Sequence, residues 1–222
     1  MGLTTWLIVA SEKRELAGIL KRVPGSRPFE WPEAAFAREV MHGQDRWWLV
    51  VSGPGPRMVA RVLTEPRGAT GLASVGFCGA LDPALGIGDI VVTGEHLRRV
   101  SGACVERRSL CLDRVAVTAA EKRELRESTG AAVIEMESAA VAAKAREWGL
   151  PFRSVRSVSD TALEDMPLDF NRYRDADGGF SRSAIARAAL VRPTRIPGLL
   201  RLNRNCRRAA ESLGEFLANC EL

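Results

Sequence analysis

The sequence predicts an α/β fold: three αβα layers around a central mixed, mostly parallel twisted sheet. Short apolar runs recur along the chain, segments of helical spacing separate them, and Gly/Pro-rich turns punctuate the joins. With 222 residues the chain can bury a full core as one domain, 1–222, in which 181–222 is a helical tail packed on the rest. In such a sheet the ligand crevice lies beyond the carboxyl ends of the strands.

Taken in order, Trp6 to Ala10 reads as a buried strand, and Glu12 to Leu20 as a helix with Leu16, Ile19 and Leu20 on one face. Trp47 to Val51 is a second strand, stopped by Ser52-Gly53-Pro54-Gly55-Pro56; Met58, Val59, Val62 and Leu63 then form a helical stripe. Leu72 to Phe77 and Ile90 to Val92 are further strands, the latter entered through Gly86-Ile87-Gly88-Asp89. From Thr93 to Asp113 the pattern is poor and reads as loop with some strand character. A strand over Arg114 to Thr118, a helix over Ala120 to Ser128 and a strand over Ala131 to Met136 follow. Ala139 to Trp148 is a helix of strong formers stopped by Gly149 and Pro151, and Phe152 to Val158 is the last core strand. In the tail, two helices flank Arg192 to Pro197; the apolar residues of the second, Leu199 to Leu217, read as docking on the core, with lipid contact as the alternative.

Composition narrows the function classes. The net charge of +5 comes largely from late arginines (192, 195, 201, 204, 207 and 208), read as a solvated helix face or a surface for anionic lipid or phosphate. Aromatics make up only 6%, with no basic stripe interleaved with stacking residues, so no nucleic-acid partner is expected. Five scattered cysteines lack metal-ligand spacing and read as reduced thiols of a cytoplasmic protein with no metal site. The opening residues lack the basic start of a signal peptide and the length of a membrane span.

Val133-Ile134-Glu135-Met136-Glu137-Ser138 and Val158-Ser159-Asp160 carry the chemistry. They put carboxylates where apolar strands run out, and a carboxylate there must be paired, protonated or kept for a ligand. The plainer readings are a helix N-terminal charge for Glu137 and a loop or capping residue for Asp160.

These segments resemble the purine nucleoside phosphorylase and nucleosidase superfamily, which includes the methylthioadenosine/S-adenosylhomocysteine nucleosidases. So do Ser52-Gly53-Pro54-Gly55, Val75-Gly76-Phe77-Cys78-Gly79-Ala80-Leu81 and Gly88-Asp89-Ile90-Val91-Val92. The stretches Ala131 to Ser138, Leu81 to Leu85, Asp177-Gly178 and Arg192-Pro193 look similar to the hopanoid-associated phosphorylase branch, which acts on adenosylhopane. The resemblance implies that Glu137 accepts hydrogen bonds from the ribose diol over Met136, that Asp160 protonates purine N7 beside Ser159, and that Glu15 activates water, with Glu12 as competitor. Phe77, Cys78 and Gly79 would line the base and sugar. It implies no cofactor, phosphate as the co-substrate if the reaction is phosphorolysis, a small-molecule nucleoside as partner, and a homo-oligomer. For Asp160 to act as an acid near neutral pH, burial or a like charge would have to favour its protonated form.

Two departures qualify the resemblance. Ser74 stands where phosphorylases carry an arginine and Phe77 where they carry a serine, which favours hydrolysis over phosphorolysis, although Arg14 or Arg57 could substitute. Only 46 positions (135 − 89) separate Asp89 from Glu135, fewer than nucleosidases carry, which suits an open pocket, a bulky 5′ substituent such as a hopane, and peripheral membrane contact. A catalytically weakened nucleoside-binding protein on the same fold is the alternative function.

Overall fold

The structure, a computed structural model, describes residues 4–94, 98–100, 103–175 and 178–222. Asp177, part of the resemblance, lies outside them. Along the chain run β1 (Thr5–Ala10), a 3₁₀ turn (Lys13–Leu16), α1 (Ala17–Arg22), β2 (Arg27–Pro28), β3 (Phe36–His42), β4 (Asp45–Val51), α2 (Pro56–Val62), β5 (Gly71–Ala80) and β6 (Ile90–Gly94). There follow β7 (Arg98–Val100), β8 (Val105–Glu106), β9 (Ser109–Cys111), α3 (Ala119–Thr129), β10 (Val133–Glu135), α4 (Ser138–Glu147) and β11 (Phe152–Asp160). A 3₁₀ turn (Phe170–Tyr173), α5 (Arg182–Val191), a second 3₁₀ turn (Pro193–Arg195), α6 (Ile196–Ala218) and β12 (Cys220–Glu221) complete the chain.

The main sheet has the order β2-β3-β4-β1-β5-β11-β6-β8, with β10 paired to β5 and β9. Its centre is parallel: β4, β1, β5 and β11 run the same way, so their carboxyl ends gather on one edge. The flanks mix directions, β3 and β6 being antiparallel to their inner neighbours. Alternation along β1 shows how the layers form. Trp6, Ile8 and Ala10 pack with Leu213, Phe216 and Leu217 of α6, whereas Leu7 and Val9 pack with Val59 and Val62 of α2 and Val141 and Ala145 of α4. Side chains of a strand point alternately to opposite faces, so a strand buried on both must be apolar throughout.

Helices α1 and α6 meet at glycines. A Cβ on Gly18 would stand 2.0 Å from the Ala210 carbonyl oxygen, and one on Gly214 would stand 2.1 Å from the Gly18 carbonyl carbon. Backbone approaches that close admit no side chain, and they seat the second half of α6 on the sheet, where Cys206, Ala209, Ala210, Leu213 and Phe216 are buried.

Besides the two-residue strands β2 and β12, two regions differ from the sequence reading. Arg114 to Thr118 joins no ladder: Val115 exchanges backbone hydrogen bonds with the Asn171 side chain, and the Val117 N–H donates to Glu121. Side chains satisfy this backbone in place of a neighbouring strand. Conversely, β3 escapes the apolar-run criterion because Arg38 and Glu39 interrupt it. Glu39 is buried nonetheless, accepting from Trp48 Nε1 at 3.0 Å and from Arg27.

Candidate active site

Strand ends bring the acids together: Glu15 follows β1 and Asp160 ends β11, both parallel to β5, while Glu137 follows β10, which is antiparallel to β5. The turn after β1 carries Glu15, which is 3% exposed and therefore not the surface first-turn acid its position allows. Its Oε2 accepts from the Ser11 N–H (2.8 Å), the Ser11 hydroxyl (2.9 Å) and the Glu12 N–H (2.8 Å); its Oε1 accepts from the Phe77 N–H of β5 (2.8 Å). Burial raises its pKa, against those donors and the nearby Arg156 charge. The competitor, Glu12, instead pairs with Arg14 at 2.6 Å.

Glu137 occupies the N-cap of α4 but makes no side-chain cap there. Its Oε1 accepts from the Gly55 N–H at 2.9 Å, which ties the Ser52-Gly53-Pro54-Gly55 turn to Glu137; Gly55 holds φ +86° just before Pro56 opens α2. Capping falls to Glu135, whose Oε2 accepts from the N–H groups of Glu137 (3.0 Å) and Ser138 (2.8 Å). Burial pushes Glu137 up to about 7; Arg156 opposes the rise, while the Glu15 and Glu135 charges add to it. For Glu135, burial is outweighed by Arg156 and the Ser138 donors, and its pKa lies below the usual range.

At the hub is Arg156 of β11, which is 1% exposed. Its Nη2 lies 2.7 Å from Glu135 and donates to Ser74 Oγ at 2.5 Å, and its Nη1 lies 3.8 Å from Glu137. Burial disfavours its charge, but Glu135, Glu137 and Glu15 together hold its pKa above the ordinary value. Gly76 makes room for this cluster, since a Cβ there would stand 2.5 Å from Glu15 Oε1 and 2.8 Å from Arg156 Nη1.

Asp160, at the end of β11, stands apart from the guanidinium. Its Oδ2 is 2.7 Å from Nζ of Lys122 on α3, and its Oδ1 accepts from the Ser159 hydroxyl at 2.8 Å. Lys122 is fully buried and also donates to the carbonyls of Thr161 (2.7 Å) and Glu164 (3.2 Å). The partner of Asp160 is thus a cation, not a like charge, which leaves burial as the other of the two expected ways to favour its protonated form. Gly79 lies against Asp160 too closely for a side chain, a Cβ standing 2.8 Å from Oδ2. Cys78 is buried and packs among Ala80, Val91 and Val158; burial pushes its thiol up, as for a packing residue. Phe77 and Met136 are half-buried, and Arg14 lies over the Phe77 ring at 5.6 Å.

The structure therefore joins Glu15, Glu137 and Phe77 through Arg156 and the β5 backbone, and brings Ser159, Gly79 and Lys122 together at Asp160. Lys122 and Arg156 are the residues the sequence reading missed. For Arg156 a signal existed, since a charged residue inside an otherwise buried strand requires carboxylate partners. Lys122, on a helix rich in charge, gave none. Ser74 is committed to Arg156, and Arg57 is exposed.

Residues 4–107 and 103–192 match the phosphorylase superfamily. A 42-residue stretch is 48% identical to 5′-methylthioadenosine/S-adenosylhomocysteine nucleosidases of Shewanella halifaxensis (strain HAW-EB4) and Shewanella sp. (strain MR-7), covering 19% of this chain and 18% of each relative. That match spans less than a fifth of the relatives' length. Among solved structures, futalosine hydrolase of Helicobacter pylori strain 26695 superposes with TM-score 0.71 at 15% identity, covering 98% of this chain and 97% of that one. S-adenosylhomocysteine nucleosidase of Streptococcus pyogenes gives TM-score 0.70 at 17% identity over 99% and 96%. The 5′-methylthioadenosine/S-adenosylhomocysteine nucleosidase of Neisseria meningitidis gives 0.70 at 18% over 98% of both chains. At these identities the likeness establishes the shared fold.

Proposed function

The chain belongs to the phosphorylase superfamily of enzymes, and we propose that it cleaves the N-glycosidic bond of a purine nucleoside with water as the nucleophile. The observation that carries this reading is the grouping of Glu15 and Asp160, at the carboxyl ends of the parallel β1 and β11, with Glu137, which follows the antiparallel β10; Glu15 and Glu137 share one buried guanidinium. The superposed solved structures, nucleosidases and a hydrolase by name, support it.

An ionised Glu137 is acceptor-only and suits the two hydroxyls of a ribose cis-diol. As the bond from C1′ to the base lengthens, the sugar gains oxocarbenium character, and the carboxylates around Arg156 stabilise that charge. Asp160 relays a proton from solvent to purine N7, so that the base leaves neutral. The carboxylate left behind is met by the Lys122 ammonium 2.7 Å away. Water attacks C1′ and passes its proton to Glu15, whose Oε1 has a single protein donor and a lone pair to spare.

Ser74, where phosphorylases carry an arginine, is occupied by Arg156 and offers no cation to phosphate; this supports hydrolysis. The short span from Asp89 to Glu135 supports a substrate with a bulky 5′ substituent, adenosylhopane being one. Adenine release from adenosine, methylthioadenosine, S-adenosylhomocysteine and adenosylhopane, measured with and without phosphate, tests the proposal. Release independent of phosphate is expected. Release that requires phosphate overturns hydrolysis, and tight nucleoside binding without any release overturns catalysis in favour of a binding protein.

A further inference from the structure

We propose that the face formed by the end of α5, the turn after it and the first turns of α6 docks on an anionic lipid surface. This inference is independent of the reaction at Asp160. Of the large hydrophobic side chains exposed among the described residues, five lie on this face or the loop beside it: Leu163 (75% exposed), Leu190 (76%), Val191 (78%), Ile196 (36%) and Leu200 (64%). Ile196 and Leu200 are four apart on α6 and share a stripe. The loop of Leu163 is brought alongside by Pro167, against which Gly198 packs so closely that a Cβ would stand 2.9 Å away. Leu163, Arg195 and Arg201 line a cleft of about 460 Å³ there. Only the second half of α6 is needed for docking on the sheet; its opening turns face outward.

The charge on the helical part of this face is of one sign, and the loop of Leu163 adds Glu164 and Asp165 at its edge. From Gly178 to Ala210 the chain carries eight arginines (182, 187, 192, 195, 201, 204, 207 and 208) and no acid or lysine. Among the described residues, Arg201 alone of the eight has a carboxylate within salt-bridge range, Glu164 at 3.9 Å. The nearby Asp165 is engaged by the Ala119 N–H. Exposed aliphatic side chains ringed by arginine match a bilayer surface, where the apolar groups enter the headgroup boundary and the guanidinium groups meet lipid phosphates. A symmetric contact with a second copy would oppose arginine to arginine, and nucleic acid would call for stacking aromatics, of which the stretch has only Phe180. No helix among the described residues is long and apolar enough to cross a membrane, so the contact is peripheral.

The test is sedimentation of the full chain with phosphatidylcholine vesicles, with and without phosphatidylglycerol, for wild type and for the pairs Leu190→Glu/Leu200→Glu and Arg192→Glu/Arg195→Glu. Binding is expected only with phosphatidylglycerol, weakened by salt and reduced roughly tenfold or more in each pair. Unchanged circular dichroism and thermal unfolding verify that each pair is folded; for a pair that fails this check, Leu200→Ser or Arg195→Gln replaces it. Equal binding to both vesicles, none to either, or binding indifferent to the folded variants overturns the proposal. So does a wild-type oligomer in sedimentation velocity that Leu190→Glu/Leu200→Glu dissociates without any vesicle binding, which would give the face to a second copy.

Discussion

Two buried cations organise the acids of this molecule, and they differ in how much negative charge each must balance. Around Arg156 stand three carboxylates, Glu15, Glu135 and Glu137, and the surplus of negative charge together with burial brings Glu137 to about 7. Lys122 faces one carboxylate, Asp160, and spends its other hydrogens on two carbonyls. The first arrangement suits a group that becomes positive, as a ribose does when its glycosidic bond stretches. The second suits a group that must give up a proton and be left as an anion. The asymmetry therefore follows the direction of electron flow in the proposed reaction, from sugar to base.

Removing each cation should have unequal effects. Arg156→Met leaves three carboxylates sharing a buried site and should cost about 3–5 kcal/mol of stability, read by denaturant unfolding. A loss under about 1 kcal/mol would mean that water, not the guanidinium, balances the cluster. Glu137→Gln should weaken ribonucleoside binding by about 1.5–3 kcal/mol, the worth of hydrogen bonds to a charged group. The wild-type affinity should rise as pH increases through about 7, where Glu137 ionises, and that limb should vanish in the variant. Stability should move the other way. A carboxyl whose folded pKa is raised loses stability as pH climbs from its unfolded value through the folded one, so Glu137→Gln should be more stable than wild type above that range, by roughly 3 kcal/mol. A pH-independent difference in Tm would contradict the assignment. Lys122→Met should cost less than Arg156→Met, about 2 kcal/mol, because the Asp160 side chain is 15% exposed and water can reach it. As a positioning residue it should lower kcat with KM little changed; a rise in KM alone would place Lys122 in binding.

The same comparison explains what could be read from the chain. The parallel centre was legible because β1, β4 and β5 are largely apolar runs buried on both faces, although β11 carries Arg153, Ser154, Arg156, Ser157 and Ser159 among its apolar residues; Glu137 and Asp160 were legible because they stand where strands end. Glu15 could be aligned, but its burial could not: the donors that hold it come from Ser11, Glu12 and, across 62 positions, Phe77. Lys122 was hidden because its helix is dense in charge and its partner lies 38 positions on. Strand β3 was hidden by Glu39, whose partners Arg27 and Trp48 lie on neighbouring strands. In each case the missing information was a long-range polar pairing, which local periodicity does not encode.

The most direct test of the division of labour is Asp160→Asn, with nucleoside affinity and single-turnover adenine release measured on the same preparation. The account predicts that release falls by about 10²–10⁴, the usual share of a general acid, while affinity stays within about threefold of wild type. Unchanged release, or lost affinity with normal release from the nucleoside that still binds, would contradict it.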